Sequence, residues 1–335
     1  MSAVETLTFS VHAGWFELLN KVASSMNIDQ INSYSNHLPI NHHRKDLHQL
    51  RNLLHHLAKQ LNDPVFAIKA AKYIHPLSFS SFSLVLFTAP TVQQLLLNAV
   101  EYAPLLGSPL RLTYHQTPTG DAELWLINNE PFNKASHVSH YGILFYMSVL
   151  TELIQQAVRT PLKSVEVKLI EWPIEPEYKV FMEQQLACVV SVDSAIQKIC
   201  IRRSELSILL PAHEPDLYES QQILVRKQLV MLGKKDILLQ IYKYLDQHQN
   251  LQGINGEKVA NSLSVSFRTL NRRLAQQGSS FRLVLDKYKL EKSLILLDKN
   301  NKSISEVAYQ MGFSDSSCFS RSFKKWTGYT PKTKF

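Results

Sequence analysis

Two groups of side chains in the last third of the chain have types and spacings that could do chemistry. The first is Arg268, Asn271, Arg272 and Arg273, in the run FRTLNRRLAQQG. The second is Ser316, Ser317, Ser320, Arg321, Lys324 and Lys325, in the run SDSSCFSRSFKKW. A guanidinium can donate two hydrogen bonds to a guanine edge, and an asparagine amide can pair with the acceptor and donor of adenine. Lysines and further arginines neutralise phosphates. Such side chains help only if a rigid element carries them along one outward face.

The surrounding residues predict such elements. Ile304, Val307, Ala308 and Met311 form an apolar stripe at helical spacing. Gly312 then ends the helix, because a glycine takes a left-handed conformation at little steric cost. Phe313 is expected to plug the turn, and Ser314 and Asp315 to cap a second helix that buries Phe319 and Phe323. The same pattern occurs about fifty residues earlier. Val259, Ala260 and Leu263 make the stripe, Ser264 to Ser266 the turn, with Ser266 as cap, and Leu270 and Leu274 the buried side of the next helix, which Gly278 ends. Phe281, Leu285, Tyr288, Leu290, Leu294 and Leu297 predict a long helix linking the two units. Helix, glycine-type turn and basic second helix together describe a helix-turn-helix.

Charge follows the same division. The 335 residues carry a formal net charge of +8. Residues 226–335 hold 20 Lys and Arg against 8 Asp and Glu (+12), and residues 1–225 hold 16 against 20 (−4). A basic end on a mildly acidic remainder suits a phosphate-binding surface confined to one end. No apolar run reaches the ~18 residues of a spanning helix, and MSAVETLTFS has no basic start or apolar signal core. A cytoplasmic protein is therefore expected. Cys188, Cys200 and Cys318 are too few and too scattered for a disulfide framework. His37, His42, His43, His48, His55 and His56 crowd one region, but no acid or cysteine completes a ligand set, so a solvated polar face is expected and no metal. No phosphate-binding glycine loop, HExxH pair or G-x-S-x-G elbow is present. Neither an enzyme nor a cofactor is indicated.

Residues 234–331 resemble the DNA-binding domain of the AraC/XylS family of bacterial transcription regulators, and GFSDSSCFSRSFKKWTGYTP is close to that family's signature. The chain departs from the pattern at its end, where Lys334 and Phe335 replace an aromatic residue followed by arginine. The resemblance implies double-stranded DNA and RNA polymerase as partners. It also implies a first reading helix presenting Ser266, Arg268, Thr269, Asn271, Arg272 and Arg273, and a second presenting Ser316, Ser317, Ser320, Arg321, Lys324 and Lys325. Arg268, Asn271 and Arg272 are expected to carry most sequence information, with Arg273, Lys324 and Lys325 on phosphates. For the serines, a reading as caps or solvated residues competes. A DNA-repair methyltransferase fused to such a domain would need clustered metal-bound cysteines, which are lacking.

The expected fold is an α+β N-terminal domain, helices with a small antiparallel sheet, followed by an all-α domain with two helix-turn-helix units. The expected division is 1–203 for effector sensing and dimerisation, 204–233 for a helical linker and 234–335 for DNA binding. Helices are expected at Trp15–Met26, Arg44–Leu61, Val65–Lys72, Thr91–Tyr102 and His140–Val158. Leu110–Tyr114 and Ala122–Ile127 flank Thr119-Gly120-Asp121 as a hairpin. Further strands are expected within Ser164–Ile170, Ala187–Val192 and Ala195–Ile201, around a helix near Glu177–Gln185. The span Arg44 to Tyr102 resembles the N-terminal class found in regulators of ornithine and arginine catabolism, which implies a sensing or dimerising role. Leu217–Leu232 is amphipathic and suits either a seam of a homodimer or packing within the chain. An effector with an acid or polar head on an apolar body is expected, with Arg111, Tyr114, Trp125 and Arg202 as its candidate contacts. Ordinary core packing of the aromatics competes, and so does a ligand-free assembly role. Should those arginines not serve, the Arg44–Leu61 helix is the next wall to consider.

Overall fold

The computed structural model describes residues 10–26, 44–107, 110–128, 138–192, 194–233, 236–276, 279–299 and 302–334. Gly278, His37, His42 and His43 lie outside them. The chain forms two compact units, one built from Phe9–Asn128 with Ser136–Leu229 and the other containing Val230–Phe335.

The first unit is α+β. Its elements run β1 (Ser10–His12), α1 (Gly14–Ser25), β2 (Arg44–Asp46), α2 (Leu47–Leu61), α3 (Phe66–Ala71), α4 (Ser81–Phe87) and α5 (Val92–Tyr102). Then come β3 (Leu110–Gln116), β4 (Ala122–Asn128), α6 (His140–Ala157), β5 (Glu166–Lys168), α7 (Tyr178–Leu186), β6 (Val189–Ser191), β7 (Gln197–Ile201), α8 (Arg203–Leu206) and α9 (Pro215–Gly233). The hairpin forms as expected: β3 and β4 pair antiparallel from Leu110↔Asn128 to Gln116↔Ala122, with Gly120 at φ +87° in the turn. The five-stranded sheet has the order β3-β4-β7-β5-β6. It is not wholly antiparallel as expected, because β5 and β6 pair parallel across the α7 crossover. A parallel pair needs such a connection, and α7 supplies it.

A second difference lies at Arg44. The expected helix begins only at Leu47, where Asp46 caps it by accepting from the His48 amide at 2.6 Å. Arg44–Asp46 instead pairs antiparallel with Ser10–His12. The Arg44 guanidinium fastens this pair, donating to Ser10 Oγ (2.8 Å), Ser10 O (2.6 Å) and Leu105 O (2.8 Å). Asn62, left-handed at φ +44°, closes α2 where the Asn-Asp-Pro break was expected. The span expected as linker, 204–233, holds most of α8 and all of α9. Tyr218 of α9 accepts from Asn98 at 3.0 Å, Arg226 donates to Tyr102 at 3.3 Å, and Val225 is buried.

The second unit is all helical: α10 (Ile237–Asp246), α11 (Gly256–Ser262), α12 (Phe267–Gln276), α13 (Phe281–Lys299), α14 (Ile304–Gln310), α15 (Ser316–Thr327) and α16 (Pro331–Lys334). The long α13 packs against α10, α12 and α14 and so joins the two halves of the unit. Its buried side is Phe281, Val284, Tyr288, Glu291 and Leu294, while Leu285 and Leu290, expected on the stripe, are half-buried. The stripe drifts because the helix must face two neighbours in turn.

Candidate functional site

The two helix-turn-helix units share one hydrogen-bond pattern. Asn255 caps α11 through the Lys258 amide (2.9 Å), and Ser303 caps α14 through the Glu306 amide (3.3 Å). In the turns, the Val265 amide donates to Ala260 O (3.0 Å) and the Phe313 amide to Ala308 O (2.9 Å). Ser264 and Gly312 occupy the same left-handed position, at φ +55° and +73°. Only the second of these needs glycine, because a Cβ on Gly312 would lie 2.9 Å from the Leu251 carbonyl oxygen. Ser264 is exposed, so its side chain has room. The second turn is one residue longer, and Asp315 rather than Ser314 caps α15, accepting from the Cys318 amide at 2.7 Å. Ser266 caps α12 through the Thr269 amide (3.1 Å).

These caps set the faces. On α12, Leu270 and Leu274 are fully buried, whereas Ser266, Arg268, Arg272 and Arg273 are exposed and Thr269 and Asn271 half-buried. Phe319 and Phe323 are buried on α15, while Ser317, Arg321, Lys324 and Lys325 are exposed and Ser316 and Ser320 half-buried. Arg268, Arg272 and Arg273 make no ion pair or hydrogen bond with any described residue. Arg321 donates to Cys318 Sγ at 3.1 Å. Each helix thus presents cations outward from a buried apolar anchor. The sequence reading missed Lys289 of α13, whose ammonium sits 4.7 Å from the Phe313 ring centroid and fixes the second turn. Burial holds the Lys289 pKa below the usual lysine range.

Asp315 gives the second reading helix a pH dependence. The Cys318 amide, chiefly, holds its carboxyl below the usual carboxylate range. A depressed folded pKa contributes stability that is present above the unfolded value and lost as pH falls through the folded one. Asp315→Asn keeps an N-cap oxygen but removes the titration. It is expected to flatten the acid side of the unfolding midpoint against pH below about 4, leaving neutral stability nearly unchanged. An unaltered acid limb would show that Asp315 does not contribute to it.

In the first unit, Arg111 and Trp125 fall on one face of the sheet and Tyr114 on the other, as the β3–β4 register dictates. Trp125 is buried, donates from Nε1 to Glu123 at 2.9 Å, and contacts His115 with ring centroids 4.4 Å apart. Arg202 is exposed beyond β7, its amide donating to Ser164 Oγ at 3.0 Å. The four candidate effector contacts are therefore not gathered around one space. A cavity with about 480 Å³ of empty space, its mouth included, lies elsewhere in the unit. Its walls come from Trp15 of α1, Leu50 and Leu54 of α2, Leu110 of β3, and Phe145 and Tyr146 of α6. Helical spacing could not single these positions out, because cavity walls and filled core share the same apolar stripe.

The thiols of Cys188 and Cys200 are pushed up to about 12, first of all by burial, which leaves them as unreactive thiols. Among the described residues no group of three or more His, Cys, Asp or Glu could hold a metal ion, and no helix is long and apolar enough to cross a membrane.

Comparison with known proteins bears on both units. Residues 259–334 match a family model described as a helix-turn-helix domain. Residues 38–207, just over half the chain, match the model described as the arabinose-binding domain of AraC transcription regulator, N-terminal. The chain belongs to the AraC family of transcription regulators. This AraC-family chain is 33% identical over 124 residues to the HTH-type transcriptional activator RhaS of Klebsiella pneumoniae, covering 34% of the chain and 44% of that protein. It is 31% identical over 125 residues to RhaS of Citrobacter koseri, covering 36% and 45%. The matched stretch thus spans less than half the length of these relatives. Among solved structures, the AraC-family chain aligns with the transcriptional regulator CdpR from Pseudomonas aeruginosa over 96% of its length and 97% of that chain, at 18% identity and a TM-score of 0.47.

Proposed function

We propose that the protein is a sequence-specific DNA-binding transcription regulator, an activator whose N-terminal unit binds a small-molecule effector. The observation that carries this reading is the pair of helix-turn-helix units with one hydrogen-bond pattern, whose second helices turn Arg268, Arg272 and Arg273, and Arg321, Lys324 and Lys325, outward. Helices so capped and so charged suit two major-groove faces of one duplex site. Residues 1–203 would sense the effector, 204–233 link the units and 234–335 bind the operator. RNA polymerase would be the partner in activation and the cytoplasm the working compartment. Leu217, Leu224 and Met231 are exposed seven residues apart on α9 and could supply a homodimer seam.

The base-reading assignment is tested by two substitutions against a randomised operator library. Arg272→Ala should relax sequence choice at one base pair, costing about 1–3 kcal/mol there. Lys325→Ala should weaken binding to all sequences alike. A uniform loss in the Arg272 variant would move that residue from the base edge to the phosphate backbone.

In a second reading, the N-terminal unit serves only assembly. The apolar cavity favours the effector reading over it. A thermal-shift screen on the whole protein separates the two, because a true effector raises the melting point by mass action.

A further inference from the structure

We propose that the cavity between α1, α2 and α6 takes a monocarboxylic acid with an apolar body, its carboxylate held by Arg51. This rests on the effector reading above and names the chemistry of that effector.

The walls decide the body. Apart from Arg51, Ser139 and Tyr146, the described side chains lining the cavity are apolar. The Trp15 indole N–H is already taken by the Leu106 carbonyl at 3.0 Å, so it offers a ligand only its ring, which stacks on Tyr146 with centroids 5.3 Å apart. A sugar, with a hydroxyl on nearly every carbon, would leave most of its polar groups unpaired here. An alkyl or aromatic body loses nothing by leaving water and gains by area.

Arg51 decides the head. Among the described residues it is the only charged side chain of the lining, and it is half-buried and makes no ion pair or hydrogen bond with them. A guanidinium without a partner gains most from a bidentate carboxylate. The start of α6 adds to this preference. Ser139, its N-cap, and Gly142, in its first turn, both line the cavity, and α6 is 18 residues long. The N-terminal end of a long helix carries partial positive charge that favours an anion. Among the described residues no acidic side chain lines the cavity to receive a cationic head.

The test uses the full-length protein and octanoate, with octan-1-ol and octylamine as probes of equal body. Octanoate should raise the melting temperature saturably, and octanol should bind about tenfold or more weakly because it lacks the charged head. Octylamine should bind no better than octanol. Arg51→Gln should cut octanoate affinity by about tenfold or more while leaving octanol unchanged, and Arg51→Lys should restore part of the loss. Gly142→Leu adds a Cβ 3.1 Å from Val138 Cγ1 and 3.8 Å from Leu54 Cδ1, both in the lining, and should block all three probes. Because that variant could also disturb α6, the Arg51 pair carries the decision. Equal binding of octanoate and octanol, an unaltered Arg51→Gln affinity, or no octanoate binding at all would overturn the proposal. Operator binding is measured on the same samples without ligand. Intact operator binding with no octanoate binding removes the cavity assignment alone, whereas absent operator binding removes the regulator reading itself.

Discussion

Raising salt from 50 to 200 mM is expected to weaken binding of the whole protein to duplex DNA by about a thousandfold. The estimate follows from counterion release, in which each neutralised phosphate contributes a slope of about −0.9 in the log–log plot, and about six such contacts give that factor. The contacts invoked are Arg273, Lys324 and Lys325 of the reading helices together with further cations of a stretch with net charge +12 over residues 226–335. Equilibrium titrations with a labelled duplex at four salt concentrations measure the slope directly. Replacing Lys324 and Lys325 with alanine should reduce its magnitude by nearly two units. A slope near zero would mean that these helices do not face the phosphate backbone.

Phe323→Ala is expected to destabilise the second unit by about 3–5 kcal/mol, the range for truncating a fully buried aromatic side chain. Phe323 is fully buried, with Phe319 and Tyr329 at centroid distances of 5.6 and 5.9 Å. It anchors α15 from beneath, so its loss should abolish operator binding although it touches no DNA. Scanning calorimetry with hydrogen exchange reports the loss unit by unit. The amides of α14 and α15 should lose protection while those of α6 keep theirs. A loss under 1 kcal/mol would show that Phe319 and the turn hold the reading helix without it.

Both predictions rest on features that local sequence makes legible. Helix-turn-helix units are short, and their caps, turns and apolar stripes act over three or four residues. Asp315, Ser266 and Gly312 therefore stand where their own chemistry requires them. The β3–β4 hairpin is legible for the same reason, since a turn around Gly120 fixes the register of adjacent strands.

Tertiary structure decided what depends on residues far apart in the chain. Nothing in Arg44-Lys45-Asp46 favours a strand; it becomes one because Ser10–His12 lies beside it and the Arg44 guanidinium bonds to Ser10 and to Leu105, 61 residues away. The parallel pairing of β5 with β6 was set by where the α7 crossover returns the chain, not by the strands' own residues. The cavity is the clearest case. Leu50, Leu54 and Phe145 look from sequence like any buried apolar positions, and only the packing of α1, α2 and α6 determines whether the space between them is filled. The sequence by itself determined that two capped, basic helices face outward, because caps and periodicity are local. Which of its many arginines stands beside an apolar space was decided by the fold, because that space is bounded by elements from four distant parts of the chain.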